Sequence, residues 1–173
     1  KAFPQLISAN INAIATDRAG NIYAVGFISS DLLPVTGFVF QPALKPGACT
    51  GRMGTFPCND AFLVKYDPSG RILFATYLGG SGDDIASGVA VDAEGGIYVT
   101  GYCGSSDFPV TQQNFPASRE RGTFVAKFNS AGSALAYSVV LPGSFGSSYI
   151  AVDAAGNAVV AGNTTDSFLA SPG

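Results

Sequence analysis

The chain has 173 residues, 47% of them hydrophobic and only 12% charged, with 22 glycines, 10 prolines and a net charge of −3. This balance excludes disorder of the low-hydrophobicity, high-charge kind, and the scatter of its few cations speaks against nucleic acid as a partner. No run approaches the roughly 18 apolar residues of a membrane helix, so no spanning segment is expected.

The first ten residues, KAFPQLISAN, lack an initiator Met and a long apolar stretch, so they read as the start of a processed or cut chain. Residues 14–26, IATDRAGNIYAVG, follow a pattern of β-rich run, polar turn with Gly, and second β-rich run, which predicts a hairpin. A long Gly- and Pro-rich connection follows over residues 27–60, and within it Cys49 and Cys58 bracket the insertion ACTGRMGTFPCND. A disulfide there would restrain a loop with little core of its own, and it implies an oxidising compartment: extracellular, cell surface or periplasmic.

Residues 61–78, AFLVKYDPSGRILFATYL, predict a second hairpin, and GGSGDD at 79–84 leads into a third at 89–101, VAVDAEGGIYVTG. Cys103 ends that strand and reads as a small buried hydrophobe. After a second irregular connection at 102–122, residues 123–140, TFVAKFNSAGSALAYSVV, repeat the 61–78 pattern, and 150–162, IAVDAAGNAVVAG, repeat 14–26.

These echoes set the architecture. Asp17, Asp92 and Asp153 occupy one repeat position, and Lys65 and Lys127 another, with a period of about sixty residues that the cysteine insertion lengthens once. Two hairpins per period give four antiparallel strands, here A to D. In strand A, branched Ile14, Val89 and Val91 alternate with small Ala13, Ala15, Gly88 and Ala90, so a bulky sheet face can pack on a smooth one. Such units stack around an axis as the blades of an all-β propeller; a β-sandwich or solenoid is the structural alternative. No helix is predicted, because Gly or Pro interrupts every window long enough for three turns.

Residues 60–111, DAFLVKYDPSGRILFATYLGGSGDDIASGVAVDAEGGIYVTGYCGSSDFPVT, resemble the bacterial seven-bladed β-propeller repeat, or SBBP repeat. The later copy, 141–168, is weaker and lacks the GGSGDD element. The resemblance implies a secreted or cell-surface bacterial protein, and it carries little information on activity. The predicted organisation is the end of one blade at 1–13, a blade at 14–78 with its insertion at 45–60, a blade at 79–140 and half a blade at 141–173. A closed ring takes at least four blades, so the chain is expected to be an incomplete ring, continued in a longer chain or completed by other subunits.

Strand parity puts the short A–B and C–D turns on one face of such a ring and the long B–C and D–A connections on the other. Binding residues concentrate on irregular loops, so the second face is the expected binding face. Its candidates are Asp31, Arg52, Asp83, Asp84, Asp107, Arg119, Glu120 and Arg121, with Tyr102 and Phe108 as apolar contacts. The recurrence of SSDLLPVT at 29–36, SSDFPVT at 105–111 and TTDSF at 164–168 favours a blade-building role for that motif, its Asp capping a turn and its Phe or Leu plugging between blades. Asp83 and Asp84 form a weak cation candidate without the spacing of a calcium loop, and a solvated loop is the favoured reading. With no histidine and no tryptophan, the commonest general base and a favoured sugar-stacking ring are missing, and no serine sits in a GxSxG elbow. No catalytic residue or cofactor is therefore expected. The leading expectation is a protein-interaction or scaffolding module whose partner is a protein or the remaining blades. The alternative is a carbohydrate-binding surface protein, for which only Tyr102 lies beside acidic groups.

Overall fold

The structure, a computed structural model, describes residues 9–51, 54–111, 121–142 and 148–162. It is all-β, with no helix among the described residues. Strands β1 (Ala9–Thr16), β2 (Ile22–Ile28), β5 (Asp60–Tyr66) and β6 (Ile72–Leu78) form the first antiparallel sheet, with β3 (Ala48–Gly51) and β4 (Gly54–Pro57) as a separate hairpin between β2 and β5. Strands β7 (Asp84–Val91), β8 (Ile97–Cys103), β9 (Gly122–Phe128) and β10 (Leu135–Pro142) form the second sheet. Strands β11 (Ser148–Val152) and β12 (Ala158–Gly162) pair as a two-stranded third. Both complete sheets are meanders in the order A-B-C-D. Strand β7 packs against β1, β2 and β5 on one side and β11 on the other, so the sheets stack as an open run of propeller blades without closing a ring.

Local chemistry fixes each hairpin. In the A–B turns the Asp carbonyl accepts the Gly amide three residues on, at 3.0 Å for Gly20 to Asp17 and 3.1 Å for Gly95 to Asp92 and Gly156 to Asp153. Those glycines have φ of 81°, 83° and 81°, a left-handed conformation that a side chain would strain.

The inner strands carry a matching irregularity. The pairing slips one residue between Ile11 and Ala13 in β1, and again between Ala86 and Gly88 in β7. Such bulges re-aim the extra side chain. Asn12 Nδ2 donates to the Ala86 carbonyl at 2.8 Å, and Ser87 Oγ donates to the Ser148 carbonyl at 2.8 Å, so each bulged residue ties its inner strand to the next. Opposite the bulges sit Gly26 and Gly101, where any Cβ would collide with the carbonyl of Asn10 or Ile85.

The main core lies between the first two sheets. Tyr23, Val25, Leu63 and Phe74 meet Ile97, Val99, Phe124 and Phe128 there, and Phe108 stacks on Phe124 with centroids 4.9 Å apart. On its other face the first sheet presents Ala24, Ile28, Phe62, Val64, Tyr66 and Tyr77, against which Leu33, Val35 and Leu44 pack. The connection after β2 is thus partly a cover for that sheet, pinned where Tyr77 Oη donates to the Ser30 carbonyl at 3.1 Å and accepts from the Leu33 amide at 3.2 Å.

Two details differ from the sequence expectation. Strand β1 begins at Ala9, five residues before the expected blade boundary at 14, and residues 48–51 pair with 54–57 as a hairpin where an irregular insertion was expected. The disulfide between Cys49 and Cys58 is present, closing that hairpin at its base.

Candidate functional site

At the end carrying the B–C and D–A connections, a polar clasp joins the first two sheets. The carboxylate of Asp84, fully buried, accepts from the Gly80 amide at 2.7 Å and Ser105 Oγ at 2.6 Å through one oxygen, and from the Gly104 amide at 3.1 Å through the other. Asp107 accepts from the Ser81 amide at 2.7 Å and pairs with Lys45 Nζ at 3.3 Å. Asp83 accepts from the Asn59 amide at 2.9 Å and its side-chain amide at 2.8 Å. Beneath them Asp60, also fully buried, accepts from the Lys45 amide at 2.9 Å and Gln41 Nε2 at 3.0 Å. The small residues of GGSGDD allow this approach, since a Cβ on Gly80 or Gly82 would meet the 104–107 segment.

Burial drives the electrostatics here. It pushes Asp84 above the usual carboxylate range despite its hydrogen bonds. Burial likewise raises Asp60, opposed by the Lys45 amide and reinforced by the charge of Asp84, to about 7. Asp107 lies below the usual range, chiefly through its hydrogen bond from the Ser81 amide. The buried Cys103 thiol is pushed well above its ordinary value, again by burial first and the Asp84 charge second, which makes it a poor nucleophile.

At the opposite end the A–B turns line an open cleft of about 530 Å³. Asp17, Arg18, Asp92, Glu94 and Asp153 face it, with Lys65 at its wall. The aspartates are committed to their own turns: Asp17 accepts from the Asn21 amide and Tyr23 Oη, both at 2.9 Å, and Asp92 from the Gly96 amide at 2.6 Å and Tyr98 Oη at 2.9 Å. Slight burial raises both, but these hydrogen bonds outweigh it and hold them below the usual range.

The two ends of the stack present apolar residues to solvent. Ile14 is 67% exposed on β1, although its repeat equivalent on β7, Val89, is 8% exposed within the inter-sheet core. Val159 on β12 is 61% exposed, and its equivalents Tyr23 and Tyr98 are both fully buried.

The expected binding-face residues separate accordingly. Asp83, Asp84 and Asp107 meet in the clasp, and Phe108 is a buried plug in the inter-sheet core, as the recurrence of its motif suggested. Asp31 and Arg121 are exposed and Tyr102 is half-buried. Arg52, Arg119, Glu120 and the TTDSF copy lie outside the described residues. The Asp84 loop departs from the solvated reading: the SSD motif folds back over it and excludes water. Asp60, Gln41 and Lys45 were not singled out from sequence, and only their place at a strand start or inside a long connection offered any signal. Among the described residues, Cys49, Cys58 and Asp83 come close enough to suggest a metal cluster, but the bridged sulfurs offer no thiolate.

No curated protein matches the chain in sequence. The model of the SBBP beta-propeller repeat matches residues 73–109, a window running from β6 through β7 and β8 to the Phe108 plug. The matched window therefore straddles two sheets and contains most of the clasp that joins them. Residues 73–109 are thus similar to an SBBP β-propeller repeat, and the stacked four-stranded meanders on either side of that window agree with the likeness.

Proposed function

We propose that the chain is a segment of a larger propeller outside the cytoplasm, acting as a protein-interaction or scaffolding module and not as an enzyme. On this reading its blades are 14–78, here beginning at Ala9, and 79–140, with half a blade at 141–173, and the ring is continued by further blades of the same kind. The carrying observation is the contrast at equivalent positions: Ile14 and Val159 stand 67% and 61% exposed where Val89 and Tyr98 are buried. A large apolar side chain left in water forgoes roughly 1.5–3 kcal/mol, and the internal copies indicate that another blade is what covers it. The Cys49–Cys58 bridge supports an oxidising location.

Asp31, Tyr102 and Arg121 are the residues we favour for partner contact on the loop-bearing face. A glycan ligand is less favoured, because the aromatic ring that lines the cleft, Tyr23, is buried and offers no face for stacking. Sedimentation of the chain over a wide concentration range tests the reading. Self-association that Ile14→Glu and Val159→Glu each weaken is expected, and a chain that stays monomeric throughout overturns it.

A further inference from the structure

We propose that Asp60 and Asp84 share a single proton, carried on Oδ1 of Asp60, and that this proton is part of a pH-sensitive lock between the first two sheets.

The two carboxyls begin neighbouring elements, Asp60 on β5 and Asp84 on β7, and both are fully buried. Their hydrogen-bond inventories differ. Asp84 receives the Gly80 amide and Ser105 Oγ on one oxygen and the Gly104 and Ser105 amides, at 3.1 and 3.4 Å, on the other, a set of donors suited to an anion. Asp60 receives both of its donors, the Lys45 amide and Gln41 Nε2, on Oδ2, and its buried Oδ1 has no partner among the described residues. Gly79 lies against both groups: a Cβ there would fall 2.5 Å from Asp60 Oδ1 and 3.0 Å from Asp84 Oδ2. The orphan oxygen and the neighbouring carboxylate thus flank one glycine.

Two carboxylates in one dry site resist double ionisation. A neutral Asp60 resolves the arrangement. Its Oδ2 serves as the carbonyl oxygen for the two N–H donors, while Oδ1–H faces the negative charge of Asp84. The other titratable groups around the pair do not replace that proton. The Lys45 ammonium, engaged with Asp107 at 3.3 Å, lowers Asp60 by less than burial and the Asp84 charge raise it, and burial keeps the Tyr77 hydroxyl and the Cys103 thiol neutral. Asp60 accordingly titrates at about 7.

The folded chain holds a proton that the unfolded chain releases between roughly pH 4 and 7, so stability falls as pH rises through that window and levels off above it. The melting temperature of the chain is expected to drop by at least about 3 °C between pH 5 and 7, and Asp60→Asn, whose amide supplies a donor at any pH, should flatten that slope. Carbon-13 NMR of the side-chain carboxyls in the folded wild-type chain reads the proton directly, whether or not the variant folds. A midpoint for Asp60 above 6 supports the lock. An ordinary carboxyl midpoint near 4, or a pH slope that Asp60→Asn leaves intact, overturns it.

Discussion

Lys127 Nζ lies 3.1 Å from Asp92 Oδ2 because the residue four places after Asp92 is glycine. In the other two A–B turns that residue is an asparagine, whose amide takes the outer carboxylate oxygen itself, at 2.7 Å from Asn21 to Asp17 and 2.8 Å from Asn157 to Asp153. Gly96 supplies no such donor, so this oxygen, which also accepts from Tyr98 Oη at 2.9 Å, has room for the lysine, and a Cβ at position 96 would fall 2.8 Å from Lys127 Cε. Lys65, the equivalent lysine of the first sheet, rests instead 5.0 Å over the Tyr23 ring.

Lys127→Met should therefore lower stability by about 1 kcal/mol, since Lys127 also lies 4.6 Å over the Tyr98 ring, while Lys65→Met should cost roughly half as much. Thermal melts of the two variants compare them directly. Equal losses would mean that the ion pair adds nothing beyond the ring contact.

Acid should destabilise the chain by a route separate from the Asp60 proton. Asp17, Asp92 and Asp107 are held below the usual carboxylate range, so their contribution is present above the unfolded value near 4 and is lost as pH falls through the lower folded values. Melting temperature should thus decline below about pH 4, and Asp92→Asn should shallow that decline.

Gly101→Ala should be far more damaging than Gly37→Ala. The added methyl at 101 would strike the Ile85 carbonyl at the β7 bulge, whereas Gly37 has open space and carries only the strain of its φ of 72°. We expect about 1 kcal/mol for Gly37→Ala and several times that, or failure to fold, for Gly101→Ala. Soluble yield and urea midpoints measure both.

Phe108→Ala should cost roughly 3–5 kcal/mol, because the ring is 5% exposed and stacks on Phe124 between the sheets. Phe38, 98% exposed, should tolerate the same change within about 0.5 kcal/mol. A mild phenotype at Phe108 would mean that the motif does not plug the inter-sheet core.

The hairpins were legible because their signals are local. An Asp, a Gly three residues on and alternating flanks determine a turn and two strands whatever surrounds them, which is why the pairs around Asp17, Asp92 and Asp153 fall where the repeats place them. The β3–β4 hairpin escaped notice because its strands contain Gly, Cys, Thr and Pro in place of alternating apolar residues, and the disulfide supplies the closure that packing does not.

The sequence by itself determined the repeat, the four-stranded unit, the bulky and smooth faces that stack, and the pairing of Cys49 with Cys58, since each depends on spacing or composition within a short window. Only the tertiary structure decided that Asp60 lies beneath Asp84, that Phe108 and the SSD motif turn inward, and that Asn12 and Ser87 reach the next inner strand. Those relations join residues distant along the chain, and burial sets the charge state of a carboxyl only once the sheets have closed around it.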